Sequence, residues 1–360
     1  STSRVGMHRY TYPAGEKANV LFDVGALLAH GKTEKAAIHR ISSKEIGGYS
    51  VLAPTSRRKK PVTVYFVARF NQNMTAFGGW EKEGKEKKLV HKNSIEGADI
   101  GGYASFGKLK KQTLLMKVGI SYVSEEQARI NLEKELAHWN FDRVKEDAFA
   151  EWNRELGKIT VEGGSEEEKI KFYTDLWHSL LGRHTFSDFN GKYIDNTGEE
   201  PVVRQVPLDN GTPTRNTYNS DAFWGSEFNL NILWSIAYPK VMSEFVSTLV
   251  DYYTNGGMIA RGPSGGNYTY VMVGDQATPL IAAAYNKGIR DFDIESAYQG
   301  CLKNSEPGGI RDYVGYKTNP GNFMQQYVDK GFVPEPTTKS PHAEGCAMTL
   351  YFAYEDWCMA

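Results

Sequence analysis

Between residue 5 and about residue 120, apolar and polar positions alternate in short runs; after Ser124 the apolar positions recur every three or four residues instead. The first region holds "ANVLFDVG", "AIHRIS", "GGYSVLA", "VTVYFVARF" and "TLLMKVGISYV", separated by clusters of Gly, Pro, Asn and charge. Successive side chains of a strand point to opposite faces, so alternation with β-branched and aromatic enrichment predicts half-buried strands. Several such runs at regular spacing predict an antiparallel β-sandwich. The basic run "RRKKP" at 57–61 reads as a solvated hairpin turn.

The second region is helical. "SEEQARINLEKELAHW" opens with a Ser-x-x-Gln capping box and spaces Ala128, Leu132 and Leu136 four apart, and "FDRVKEDAFAEWNREL" continues the rhythm. A second box, Ser165-x-x-Glu168, starts "KIKFYTDLWHSLL", with Ile170, Tyr173, Trp177 and Leu180 expected on one buried face. Further helices are expected at "NLNILWSIAYPKVMSEFVSTLVDYYTN", ending at Gly256-Gly257, at "QATPLIAAAYNKGI" and at "HAEGCAMTLYFAYEDWCMA". Amphipathic helices joined by long connections, with almost no strand pattern between them, indicate an all-α toroid or bundle. The expected organisation is a β-sandwich over 1–123, a helical linker over 124–164 and a toroid over 165–360.

Composition narrows the partners. Lys+Arg 42 against Asp+Glu 43 leaves a net charge of -1 and no field to draw in a polyphosphate backbone, which argues against nucleic acid. No apolar run approaches the roughly 20 residues that cross a bilayer. The 21 Tyr, 17 Phe and 7 Trp are more telling, because flat amphipathic rings in a groove suit ligands with apolar CH faces and hydroxyl edges, as sugars have. The three cysteines fit neither a metal spacing nor a disulfide framework, and no phosphate-binding loop, dinucleotide fingerprint, nucleophile elbow or HExxH run is present.

Three stretches carry candidate chemistry. "FWGSEFNLN" at 223–231 sets Trp224 and Glu227 at the entrance of a helix. "GGMIARGPSGGNYTYVMVGDQATP" at 256–279 surrounds Arg261, Asn267 and Asp275 with glycines, which let backbone approach a ligand closely. "GRHTFSDFNGKYIDN" at 182–196 follows a helix end, where a toroid would collect its loops at one rim. Each residue also has a structural reading. Glu227 complements a helix dipole, Trp224 serves as a core or rim aromatic, and Asp275 acts as an N-cap before "QATP".

The blocks "GISYVSEEQARINLEKEL", "FAEWNRELGKITVEGGSEEEKIKFYTDLWHSLL", "FSDFNGKY", "GGMIARGPSGGNYTYVMVGDQATPLIAAAYNKGI" and "YFAYEDW", in this order, resemble family 92 of the glycoside hydrolases, the calcium-dependent exo-acting α-mannosidases. The resemblance runs from about residue 5 to the end. It implies an α+β multidomain protein, an antiparallel β-sandwich followed by an (α/α)6 toroid, with both domains incomplete in this chain. It further implies release of terminal mannose from mannans or high-mannose N-glycans with inversion, through a Glu acid, an Asp-loop base and Ca²⁺ on the sugar's vicinal hydroxyls. Secreted, periplasmic or cell-surface placement goes with that substrate.

Two departures qualify the resemblance. Where the family reads Trp-Asp followed by Thr-Phe-Arg, this chain has Trp224, Gly225, Ser226 and Glu227, so Glu227 is expected to replace the sugar-binding Asp one turn along and not to be the general acid. The family's acid, base and calcium motifs are expected beyond the point equivalent to "EDWCMA", so no catalytic or metal-ligating residue is assigned within the chain. Its start without Met and its end inside a helical pattern fit an internal portion of a longer protein. The expected substrate-binding set is Trp224, Glu227, Arg261, Asn267 and Asp275. A non-catalytic sugar-binding protein and a glycosidase of other specificity on the same fold are the alternatives.

Overall fold

The computed structural model describes residues 1–26, 31–83, 86–109, 112–220, 223–335 and 344–360. Its N-terminal region is built from ten strands: β1 (Val5–Thr11), β2 (Lys17–Phe22), β3 (Thr33–Arg40), β4 (Glu45–Leu52), β5 (Val62–Phe70), β6 (Ala76–Glu83), β7 (Glu86–Val90), β8 (Ser94–Gly97), β9 (Gly101–Lys108) and β10 (Thr113–Ser121). They form two antiparallel sheets, in the orders β1-β10-β5-β4-β3-β8 and β2-β9-β6-β7. The alternation expected from sequence decides which side chains meet. Val20, Ile38, Ile46, Phe70, Phe77, Phe106, Leu114 and Met116 make one buried core drawn from both sheets.

The back of the larger sheet is covered by α1 (Glu125–Glu135) and α2 (Phe141–Leu156), the helices expected to act as a linker. Val5, Met7 and Val67 from the sheet pack with Ala128, Leu132 and Leu136 and with Val144, so the four-residue spacing does face the sandwich. Lys117 shows how close this packing is. Only 2% exposed, it donates to the Leu136 carbonyl at the end of α1 (2.8 Å) and lies 4.1 Å from the Trp139 ring centre. Burial lowers its pKa to about 8.

The helical region follows, with α3 (Glu166–Leu180), α4 (Leu230–Ala237), α5 (Pro239–Gly256), α6 (Ala277–Asn286), α7 (Ile294–Asn304), α8 (Phe323–Lys330) and α9 (Gly345–Met359). The capping box at Ser165 forms in both directions, Glu168 N–H to Ser165 Oγ (3.3 Å) and Ser165 N–H to Glu168 Oε2 (2.7 Å). The buried face of α3 differs from the expected one. Leu176 is in the core with Phe172, Tyr173 and Leu180 against it, whereas Ile170 is exposed and Trp177 meets Trp152 of α2 edge to face.

The long helix expected over 229–255 is two helices, because Pro239 has no N–H to donate back and starts α5 at its first position. The end helix begins at Gly345; its expected start at His342 falls outside the described residues. Short hairpins, including Lys192–Asp195 on Val202–Gln205, occupy loops read as strand-free. The helical core gathers Trp234, Tyr238, Phe245, Leu249, Ile259, Leu280 and Ile281, largely from α4, α5 and α6.

Polar groups join the two regions. Asp188 is 3% exposed and accepts from Ser121 Oγ on β10 (2.9 Å) and Asn131 Nδ2 on α1 (2.7 Å), while Asn131 Oδ1 accepts from the Phe189 N–H (2.8 Å). Arg4 holds Glu135, the Ser187 carbonyl and Asn216. "RRKKP", expected to lie in solvent, docks instead: Arg58 bridges Thr269, and the Arg57 carbonyl accepts from the Tyr270 N–H (3.2 Å). The hairpin reading holds for its backbone, since the Thr55 N–H reaches the Arg58 carbonyl (2.7 Å).

Candidate functional site

The residues of "FWGSEFNLN" make a tight entrance to α4. Gly225 adopts φ +78°, a conformation that disfavours any side chain, and this turns the chain into a 3₁₀ turn over Ser226–Phe228. Ser226 Oγ bonds Asn231 Oδ1 (3.0 Å) and Asn229 Oδ1 caps the Leu230 N–H (2.6 Å), which fixes the turn against the helix. On this turn Trp224 is 47% exposed, and Glu227 is half-buried.

Glu227 combines a place on this exposed turn with a buried oxygen, Oε2, that lacks a hydrogen-bond partner, a lack shared with Glu355 Oε2 among the described carboxylates. Desolvation raises the Glu227 pKa above the usual carboxylate range, opposed by the backbone N–H groups of Glu227 and Gly225. α9 lies alongside. The Tyr351 ring centre is 6.1 Å from that of Trp224 with planes 35° apart, and burial raises the pKa of both Tyr351 and Tyr354, with the Glu227 charge adding to the rise.

The three candidates of the glycine-rich loop, Arg261, Asn267 and Asp275, are all buried. Arg261 is 2% exposed and spends its guanidinium on five backbone carbonyls: Gly274 (2.8 Å), Val271 and Met272 (3.1 Å each), Tyr313 and Ile310 (2.7 Å each). Burial lowers its pKa to about 10. Asn267 is buried and donates to the Gly265 carbonyl (3.0 Å). Asp275 is fully buried, accepting from Thr278 Oγ1 (2.7 Å), Asn304 Nδ2 (3.0 Å) and the Ala277 N–H (3.2 Å); it sits one residue before the N-cap of α6, which is Gln276 and not Asp275 as expected. The fold therefore sets Trp224 and Glu227 on one accessible turn and uses Arg261, Asn267 and Asp275 to hold the loop beneath.

Sequence reasoning missed the buried charges under this loop. Glu355 of α9 accepts from the Asp275 N–H and lies 3.0 Å from Arg311 Nε, and Arg311 also reaches Asp356 (2.5 Å). Burial pushes Glu355 up to about 8 against the pull of Arg311. Gly274 makes the arrangement possible: at φ +73°, a Cβ there would sit 2.3 Å from Glu355 Oε1. The available signal was a pair of adjacent charges inside each of two otherwise uncharged stretches, "GGIRDYVGY" and "LYFAYEDW".

A cleft of about 880 Å³ elsewhere runs along α5, lined by Arg215, Glu244, Asp251, Asp291 and Asp293, and contains none of the five candidate residues. Among the described residues no helix is long and apolar enough to cross a membrane.

With this geometry in hand, comparison with known proteins is decisive for the family. The model of the glycosyl hydrolase family 92 N-terminal domain matches residues 1–121, and that of the family's catalytic domain matches residues 127–360. The chain belongs to glycosyl hydrolase family 92. Among solved structures, the family 92 α-mannosidase BT3965 of Bacteroides thetaiotaomicron superposes with a TM-score of 0.83 at 23% identity, covering 100% of this chain and 45% of that one. The inverting mannosidase BT2199 of Bacteroides thetaiotaomicron VPI-5482 gives 0.82 at 22%, with the same coverage. Among curated proteins, an "uncharacterized secreted glycosidase" of Arthroderma benhamiae is 24% identical over 258 residues, 68% of this chain and 27% of its own length. The chain thus spans less than half the length of these solved relatives. The likeness establishes the sandwich-plus-helical fold for this family 92 chain.

Proposed function

We propose that this chain is part of a glycoside hydrolase that releases terminal α-linked mannose from mannans or high-mannose glycans outside the cell or at its surface. One observation carries the reading: an exposed Trp224 ring beside a half-buried Glu227 carboxylate whose inner oxygen has no partner among the described residues. A hexose presents an apolar CH face to the ring and hydroxyl donors to the carboxylate. Family membership and structural likeness to α-mannosidases support the substrate class.

Inversion needs an acid and a base far enough apart to admit water, and neither is assigned here. Glu227 binds and orients, while the Trp224 ring excludes water from one sugar face. Calcium dependence belongs to the same proposal, but the residues present do not form its site. Among the described residues no group of three or more His, Cys, Asp or Glu side chains is arranged to hold a metal ion, and no step is routed through one.

A second reading, sugar binding without hydrolysis, is favoured by the sealing of Asp275 and Glu355, while Glu227, half-buried, stays on the exposed Trp224 turn. The full-length protein assayed on a panel of α-linked mannosides and glucosides, with and without chelator, separates the readings. Turnover of mannosides lost on chelation is the expected result. Binding without turnover selects the second reading, and neither binding nor turnover overturns both.

A further inference from the structure

We propose that Tyr351 is a sugar-contacting residue of this site, extending the aromatic wall begun by Trp224 and sharing the hexose hydroxyls with Glu227. The proposal rests on the α-mannoside reading above and deepens it.

Three observations converge on Tyr351. First, its ring neighbours Trp224 at 6.1 Å between centres, and with planes 35° apart the two rings are adjacent without being a parallel stack. Second, Tyr351 is only half-buried although it packs against the buried cluster of Val273, Met348 and Phe352, so it is held by packing and still partly exposed. An anchored ring loses little freedom on binding, which suits a recognition residue.

Third, Glu227 offers acceptor oxygens and no donor, whereas a hexose hydroxyl both donates and accepts. A neighbouring donor is required to satisfy the second half of each hydroxyl. The Tyr351 phenol supplies it: burial and the nearby Glu227 and Glu355 charges raise its pKa, so the phenol keeps its proton at neutral pH. Donor and acceptor then come from two different elements, the turn before α4 and the middle of α9. Both are fixed by their own packing, which is how a site selects the direction of adjacent hydroxyls.

The test is a fluorescence titration of the full-length protein with methyl α-mannoside and with α-mannobiose, comparing the parent with Tyr351→Phe, Tyr351→Ala and Glu227→Gln. Tyr351→Phe keeps the ring and its packing, so the expected outcome is an unchanged melting temperature with mannoside affinity about three- to tenfold weaker, the worth of one hydrogen bond. Tyr351→Ala loses wall and hydroxyl together and is expected to weaken binding further, by more than about tenfold. In the double variant Tyr351→Phe, Glu227→Gln, the losses are expected to fall short of their product, because both groups serve the same hydroxyls. A purely packing role would move the melting temperature and leave this coupling absent. Parent binding with both Tyr351 variants within twofold overturns the assignment alone. Absence of parent binding to either sugar removes the mannoside reading, and the Tyr351 assignment with it.

Discussion

Replacing Arg261 by Met tests the claim that this arginine holds the glycine-rich loop and does not face a ligand. Met matches the length of the side chain while removing every donor. Of the five carbonyls it serves, Ile310 O also accepts from the Tyr313 N–H (3.1 Å), so up to four are left without their partner. An orphaned buried acceptor costs about 1–3 kcal/mol, and the gross loss is partly offset because the guanidinium no longer has to be desolvated. The pKa lowered to about 10 is the sign of that desolvation. The net destabilisation is expected near 3–5 kcal/mol, the range seen when a buried charged partner is removed. Urea unfolding followed by tryptophan fluorescence measures it as a lower midpoint at constant slope. Arg261→Lys is the control, since a lysine keeps the charge but cannot fork across the 271–274 and 310–313 segments. A midpoint shift worth less than about 1 kcal/mol for Met, or a Lys variant that keeps full stability and loses mannoside binding, would refute the clamp and return Arg261 to the binding surface.

Asp188 sets a pH dependence. Burial lifts its pKa to about 6, against about 3.9 when unfolded, so its contribution is present below pH 4 and lost as pH rises through 6. Asp188→Asn is expected to remove a fall of about 3 kcal/mol across that window, read as a flatter curve of melting temperature against pH. Gly274→Ala combines a φ of +73° with a Cβ 2.3 Å from Glu355 Oε1, and thermal melts are expected to show a loss of more than about 2 kcal/mol. Ser165→Ala breaks the capping box of α3 and is expected to cost about 1 kcal/mol, measured by urea midpoint, with sugar binding unaffected.

What could be read from the residues divides by the range of the interaction that decides it. Both helix-starting serines, Ser124 and Ser165, cap as their spacing indicates, because a cap is settled within four residues. The strands of "VTVYFVARF" and "TLLMKVGISYV" pair as β5 and β10 with the core residues their alternation assigns. The α3 face was misread because Ile170 and Trp177 satisfy the helical period as well as Leu176 does, and only the neighbouring elements choose between two apolar stripes. The break at Pro239 was legible in principle from the ring's missing donor. The docking of Arg58 on Thr269 was not, since 211 residues of chain separate the partners.

The same division explains the candidate site. Arg261, Asn267 and Asp275 carry ligand-like chemistry among glycines, yet a polar side chain in such a loop serves the loop's own backbone equally well. Burial decides between the two, and it is a property of the whole fold. Glu227 survives this test for the opposite reason. Nearby, Asp275 has three partners, and Glu355 takes a backbone N–H and an ion pair with Arg311, although its Oε2, like that of Glu227, has no hydrogen-bond partner among the described residues; Glu227 differs in lying on an exposed turn with no ion pair among those residues. A buried oxygen without a partner among the described residues is a cost that a neighbouring donor would relieve, and none of those residues directs one at it. The cost is intelligible when the missing donor is a hydroxyl that arrives with the ligand, because the energy withheld in the free protein is then returned on binding.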